Sequence, residues 1–318
     1  MAATGRRDEG SPGGALLAGF GRAFGGALLF GMPMLMTMEL WELGATLDRF
    51  RLALLLALAV PLLVGVSHRV GFEPTFGWRE DLRDAAIALG VGLVAGAAVL
   101  SVLAVLGPGM SAREMIGAVA IQAVPAAFGA MLGRSQFGGG GAEDADSGDD
   151  ESGDAEGPAA FDGYPGTLFM MIVGALYFSL NIAPTEEMVL ISFKMTSWHA
   201  VVLILASLGL MHGFVYGLGF HGGAGPEEGP GWSSFLRVTL VGYVLCLATS
   251  LFCLWIFGSL RGMGMEAVTM GMIVLAFPAA LGAAIADVVA RHDILRTTYP
   301  ETGGQPVQLI APVADIAT

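Results

Sequence analysis

Two short runs hold the residues that could do chemistry. Residues 26–42 read GALLFGMPMLMTMELWE, and residues 174–190 read GALYFSLNIAPTEEMVL. The first carries Thr37 and Glu39 in a Thr-x-Glu pattern; the second carries Thr185 and Glu187 in the same pattern, with Asn181 one turn earlier. Pro33 has no amide to bond the Leu29 carbonyl, and Pro184 likewise frees the Leu180 carbonyl. Freed carbonyls, a hydroxyl, an amide and a carboxylate are oxygen ligands suited to a hard cation, and an ionisable residue within a membrane helix is by default a candidate ion or proton site. The residues name no particular metal. The competing reading is structural: acids and Trp41 at a helix end, solvated among lipid headgroups. Thr and Glu two apart point about 200° from one another on an ideal helix, so a local break is needed to turn both toward one site.

The elements that would position these residues occur twice. Gly26, Ala27, Leu28 and Phe30 align with Gly174, Ala175, Leu176 and Phe178. Further on, AVPAAFGA at 123–130 returns as AFPAALGA at 276–283. Between these ends Gly65 matches Gly213, Gly71-Phe72 matches Gly219-Phe220, Gly77-Trp78 matches Gly231-Trp232, and Leu82-Arg83 matches Leu236-Arg237. The order is kept throughout, which is the mark of an internal duplication.

Composition sets the class. Of the 318 residues 54% are hydrophobic and 14% charged, which leaves too little polar surface to cover a soluble globule. The pattern predicts an all-α polytopic membrane protein with about eight spans, near 23–40, 52–66, 85–106, 115–132, 167–183, 200–220, 235–257 and 267–286. Four spans per copy return the chain to its starting side, so the two repeats are expected to be parallel and related by a pseudo-twofold axis along the membrane normal. Such an axis makes the two Thr-x-Glu helices and the two Pro-Ala-Ala helices candidates to meet.

The expected organisation is an N-terminal segment (1–21), a first four-helix repeat (22–137), a linker (138–163), a second repeat (164–291) and a tail (292–318). Ten of the 15 basic residues fall on the side of the termini, which predicts a multi-pass protein of the cell membrane with both termini in the cytoplasm. The net charge of -13 is concentrated in the linker, where nine acids and no base stand among Gly, Ser and Ala. That segment cannot bury enough apolar surface to order itself and reads as a disordered cytoplasmic spacer.

Depth follows from helix rise. Glu39 lies about 25 Å beyond Arg22 at 1.5 Å per residue, near the far edge of a hydrocarbon core of about 30 Å. Pro33, Pro125, Pro184 and Pro278 are candidate kinks, with packing among small residues as the alternative for the second and fourth. Arg113 aligns with Glu266 and Arg134 with Asp287, so parallel pairing of the Pro-Ala-Ala helices would place an opposite-charge pair at each end. His212 and Tyr216 share a face; His212 reads as a hydrogen-bonded core histidine, with a proton-relay or haem role as the alternative, and Cys246 and Cys253, seven apart on one helix, read as packing residues and not as a disulfide.

The whole membrane part, with its PMLMTMELWE first helix, resembles a prokaryotic family of integral membrane proteins of unknown function. That resemblance implies a membrane fold and brings no site residues. NIAPTEE is also similar to the Asn and Pro-x-Glu of cation/calcium exchanger repeats, which are inverted and five-helical where these are parallel and four-helical.

The expected function is passage of a small solute or ion, a cation or proton being favoured, past Glu39, Glu187, Thr37, Thr185 and Asn181. The alternative is a non-transporting scaffold or sensor whose acidic linker recruits a partner. No nucleophile–base arrangement, zinc motif or phosphate loop is visible, so neither enzyme activity nor a cofactor is expected. The expected partners are the lipid bilayer, a small cation or proton, and further copies of the chain; nucleic acid is not among them.

Overall fold

The computed structural model describes residues 12–70, 78–137, 164–214 and 235–291, together with four two-residue strands in the tail. Its bundle is built of helices α1 (Pro12–Leu35), α2 (Met38–Thr46), α3 (Arg49–Val70), α4 (Trp78–Val102), α5 (Ala112–Phe137), α6 (Tyr164–Ile182), α7 (Glu186–Lys194), α8 (Ser197–His212), α9 (Val241–Phe257) and α10 (Met265–Arg291). A π-helical turn, Phe235–Leu240, leads directly into α9. Six of the helices are long and apolar enough to cross a bilayer, and two bent pairs raise the number of crossings to as many as eight. In the tail Thr297–Thr298 pairs with Leu309–Ile310 around an inner pair of Glu301–Thr302 with Gln305–Pro306. The 138–163 linker, the 215–234 loop with Tyr216 and Trp232, and the Gly71-Phe72 pair lie outside the described residues.

Several boundaries differ from expectation, each for a local reason. α1 begins at Pro12, well before the boundary expected at 22, because a run of Gly, Ala and Leu continues upstream and proline suits a first helical turn. The second span is a full 22 residues, since α3 takes in Arg49 and Arg51 at its start and His68 near its end. The main correction concerns the first span. It does not run on into Thr-x-Glu; α1 stops at Leu35, and the chain turns by 86° into α2. Of the four candidate kinks, Pro33, Pro125 and Pro278 lie inside continuous helices, and only Pro184 stands in a break.

Each Pro-Ala-Ala helix lies among the helices of its own half. α5 packs against α1, α2, α3 and α4, and α10 packs against α6, α7, α8 and α9. Small residues make this possible. Ala123, Ala126, Ala127 and Ala130 are buried on α5, as are Ala276, Ala279, Ala280 and Ala283 on α10. At Gly129 the approach of α1 is so close that a Cβ would fall 2.7 Å from the Gly26 oxygen and 2.8 Å from Phe30 Cβ. At Gly282 a Cβ would likewise meet the Gly174 carbonyl and come within 2.7 Å of Phe178 Cδ2.

Contacts between the halves run mainly from α3 and α5 to α6 and α9. The Tyr177 hydroxyl on α6 donates to the Phe30 carbonyl on α1 at 2.8 Å, with the two rings edge to face. The Arg51 guanidinium donates to the Trp255 carbonyl at 2.7 Å and lies 5.2 Å from the indole centroid. Phe169 covers Gly65. The expected charge pair between the Pro-Ala-Ala helices does not form at one end, where Arg113 and Glu266 both stand exposed and make no ion pair with each other. At the other end Asp287 is buried and interacts with a neighbour.

Candidate functional site at two helix breaks

Each Thr-x-Glu run opens a short helix just past a break. In a continuous helix the Met34 carbonyl would accept the amide of Met38. Here it accepts the Thr37 amide at 3.2 Å, the Thr37 hydroxyl at 2.9 Å and the Gln122 side-chain amide at 3.2 Å. Three donors on one carbonyl compensate for the interrupted ladder from within the protein. Thr37 then takes an extended backbone, and α2 starts with Glu39 in its first turn.

The second break repeats this. The residue before a proline is pushed out of the helical region, so Pro184 ends α6 at Ile182. The Ile182 carbonyl accepts the Thr185 amide at 3.0 Å and the Thr185 hydroxyl at 2.8 Å. Thr185 is extended, and Glu187 lies in the first turn of α7. Leu275 holds the position aligned with Gln122, so the third donor is absent from this break.

Chemically, each break offers a carboxylate and a hydroxyl oxygen that keeps acceptor capacity while it donates. Glu39 is half-buried and Glu187 exposed, both at helix N-termini where backbone N–H groups favour negative charge. The Asn181 amide nitrogen donates to the Tyr177 carbonyl at 2.8 Å, leaving the amide oxygen as an acceptor at the level where α6 approaches α1. Gln122 is fully buried, and its Oε1 has no hydrogen-bond partner among the described residues. Glu42 and Glu186 are exposed.

The breaks lie in separate halves, α2 against α5 and α7 against α10. Two cavities stand out among the described residues. One is an open apolar groove of about 560 Å³ along α1, lined by Gly25, Leu28, Leu29, Met32, Pro33 and Met36. The other is a small void under α7, between Met188, Ser192, Leu254 and Gly271. Neither is lined by Thr37, Glu39, Asn181, Thr185 or Glu187. Among the described residues no three His, Cys, Asp or Glu side chains gather as a metal site.

One polar pair has no counterpart in the sequence reading. His68 Nδ1 lies 3.3 Å from Asp81 Oδ2, with the carboxylate almost fully buried in the first turn of α4. Both residues sit in what reads as a loop, and only the return of α4 beside α3 brings them together. His212 is a hydrogen-bonded packing residue, with Nδ1 3.2 Å from the Thr239 hydroxyl and its ring edge-on to Phe235. Cys246 and Cys253 are buried free thiols.

No curated protein and no solved structure matches the chain. The apolar helices, the breaks closed by internal donors and the small-residue packing all describe a protein built to sit in a bilayer. The sequence model of a family described as "Putative integral membrane protein (DUF2391)" matches residues 19–290, most of the chain, and the chain belongs to that family.

Proposed function

We propose that the protein passes a small cation or proton across the cell membrane, with Glu39, Glu187, Thr37, Thr185 and Asn181 near the outer mouth. One observation carries this reading: the same broken geometry occurs twice. In both runs a long helix stops, a threonine hydroxyl folds back onto the carbonyl three residues earlier, and a nine-residue helix begins with a carboxylate in its first turn. A mere anchor at the headgroups needs no such break. Non-helical backbone at membrane depth persists where protein buries it or water reaches it.

The reading includes a duplicated architecture of two parallel four-helix repeats. The recurrence of the Gly26–Gly129 contact as Gly174–Gly282 supports it. So do the matching ends of α4 and α9, where Ala104 and Gly258 take left-handed backbone and donate to Ser101 and Trp255. The termini and the acidic linker face the cytoplasm, and the protein catalyses no reaction.

The separation of the two breaks, with neither cavity lined by them, favours the alternative of a non-transporting scaffold that recruits a partner through the linker. Cation binding separates the two readings. A cation at 100 times its Kd stabilises the folded state by about 2.7 kcal/mol, so sodium, potassium or calcium, or a change of pH for protons, should raise the unfolding temperature of purified protein. Glu39→Gln and Glu187→Gln should each remove that rise. If no cation and no pH change produces a shift that depends on these carboxylates, the cation reading fails.

A further inference from the structure

We propose that the species passed is a proton, and that it crosses the second half along a file of buried hydroxyls between His212 and the void under α7. The inference rests on the passage reading above and names the substrate of that passage.

One face of α9 and its leading turn carries Thr239, Tyr243, Cys246 and Ser250, at spacings of four, three and four that line up along a helix. All four are buried, as are Ser207 on α8 and Ser179 on α6. At the inner end His212 Nδ1 lies 3.2 Å from the Thr239 hydroxyl. One turn further on, the Tyr243 hydroxyl has Ser207 as its polar neighbour. The Tyr164 hydroxyl donates to the Arg237 carbonyl at 2.7 Å, and Met171 packs on Gly242, so α6 and α9 run in the same direction. Ser179 and Ser250, each eight residues past the Met171–Gly242 contact, therefore stand at one depth. The void follows, between Leu254 on α9 and Ser192 on α7, the helix that opens with Glu187 in its first turn.

Two features set these hydroxyls apart from packing residues. A serine or threonine inside a helix commonly donates to a carbonyl three or four residues back, as Ser207 does to Leu203 and Thr269 to Met265, both at 2.8 Å. The hydroxyls of Ser179, Tyr243 and Ser250 make no hydrogen bond among the described residues, and a buried polar group left in that state costs stability. Packing does not require them either. The aligned residues of the first half are Gly31 for Ser179, Ala59 for Ser207, Ala85 for Thr239, Leu89 for Tyr243 and Gly96 for Ser250, and α4 packs on α3 and α5 without these hydroxyls. Hydroxyls bridged by water suit a proton. Each oxygen accepts a proton on a lone pair as its own O–H bond breaks toward the next acceptor, so every group ends as it began. A hard metal cation takes about six oxygens at once, whereas the file presents one or two at each level. His212 can take up or release the proton at the inner end, and Glu187 at the outer.

The test uses the full chain in proteoliposomes, with proton entry read by an entrapped pH dye under an imposed membrane potential. Uptake of sodium, potassium and calcium is measured in parallel. The wild type should carry protons and none of the three metal ions. Tyr243→Phe and Ser250→Ala, which each remove one oxygen and keep the shape, should lose the proton flux while their unfolding temperatures stay level or rise. Thr269→Ala, outside the file, should conduct as the wild type does. Proton flux that survives both file variants, or a wild type that carries a metal ion and no protons, overturns the proposal and leaves ion passage standing. Unfolding temperatures that fall together with the flux overturn it as well, because the hydroxyls then serve to hold the fold. A wild type that carries no ion at all fails the passage reading itself, and this proposal with it.

Discussion

A single methyl group at Gly129 should force α1 away from α5. In Gly129→Ala the new Cβ would fall 2.7 Å from the Gly26 oxygen, 2.8 Å from Phe30 Cβ and 3.3 Å from Ala27 Cα. Two of these atoms are backbone and the third is the first atom of its side chain, so no rotamer change relieves the clash. Overpacking of this kind costs about 1–3 kcal/mol, against which alanine gains about 0.5–1 kcal/mol over glycine in a helix. The net expectation is a loss of up to about 2.5 kcal/mol. Gly282→Ala should lose a similar amount, because its Cβ meets the aligned residues Gly174 and Phe178. Gly90→Ala and Gly209→Ala, with nothing within 4 Å, are the controls for each half and should be neutral or slightly stabilised. Unfolding titrations in mixed micelles measure all four. If Gly129→Ala is as stable as Gly90→Ala, the close α1–α5 approach is wrong; if only one of the two tight glycines is sensitive, the halves are not packed alike.

Ala104 is the non-glycine residue with a positive φ among the described residues, at 56°, and it aligns with Gly258 at 83°. Ala104→Gly should therefore stabilise the protein by about 1 kcal/mol, seen as a higher unfolding temperature. Gln122→Leu, which copies the second half, removes one donor from the Met34 carbonyl but also removes the buried, unpartnered Oε1. These effects offset each other, and a change within about 1 kcal/mol is expected in the same titration; a loss above about 3 kcal/mol would mean that this amide holds the break by itself. Arg51→Ala loses a charge-assisted bond to Trp255 and its contact with the indole, with an expected cost of about 1.5–3 kcal/mol and red-shifted Trp fluorescence as water reaches the ring.

The duplication we propose is argued from the sequence because its marks are local. Proline, glycine and tryptophan recur in fixed order, and each recurrence can be seen without knowing what touches what. The helix breaks are less legible. Leu35 and Met36 continue the apolar run up to Thr37, and the residue that completes the break, Gln122, arrives from 88 positions away. Proline misleads here as well. Pro33 sits inside α1 without ending it, while Pro184 marks its break correctly. Arg49 and Arg51 look like residues outside a span, yet α3 begins with them because Arg51 finds a carbonyl and an indole on α9. The His68–Asp81 pair joins the end of one helix to the start of the next, which no periodicity announces. Of the candidate site, the residue types and the paired pattern can be read from the sequence. The direction in which each short helix leaves cannot, since tertiary hydrogen bonds decide it.

Flux through proteoliposomes tests most directly whether the duplicated carboxylates serve ion passage. Purified protein would be reconstituted and challenged with gradients of protons, sodium, potassium and calcium, beside folded Glu39→Gln, Glu187→Gln and the double variant. The wild type should carry one of these ions, and each substitution should abolish the flux. A wild type that carries none of them, or a double variant that carries the ion as well as the wild type does, would contradict that role.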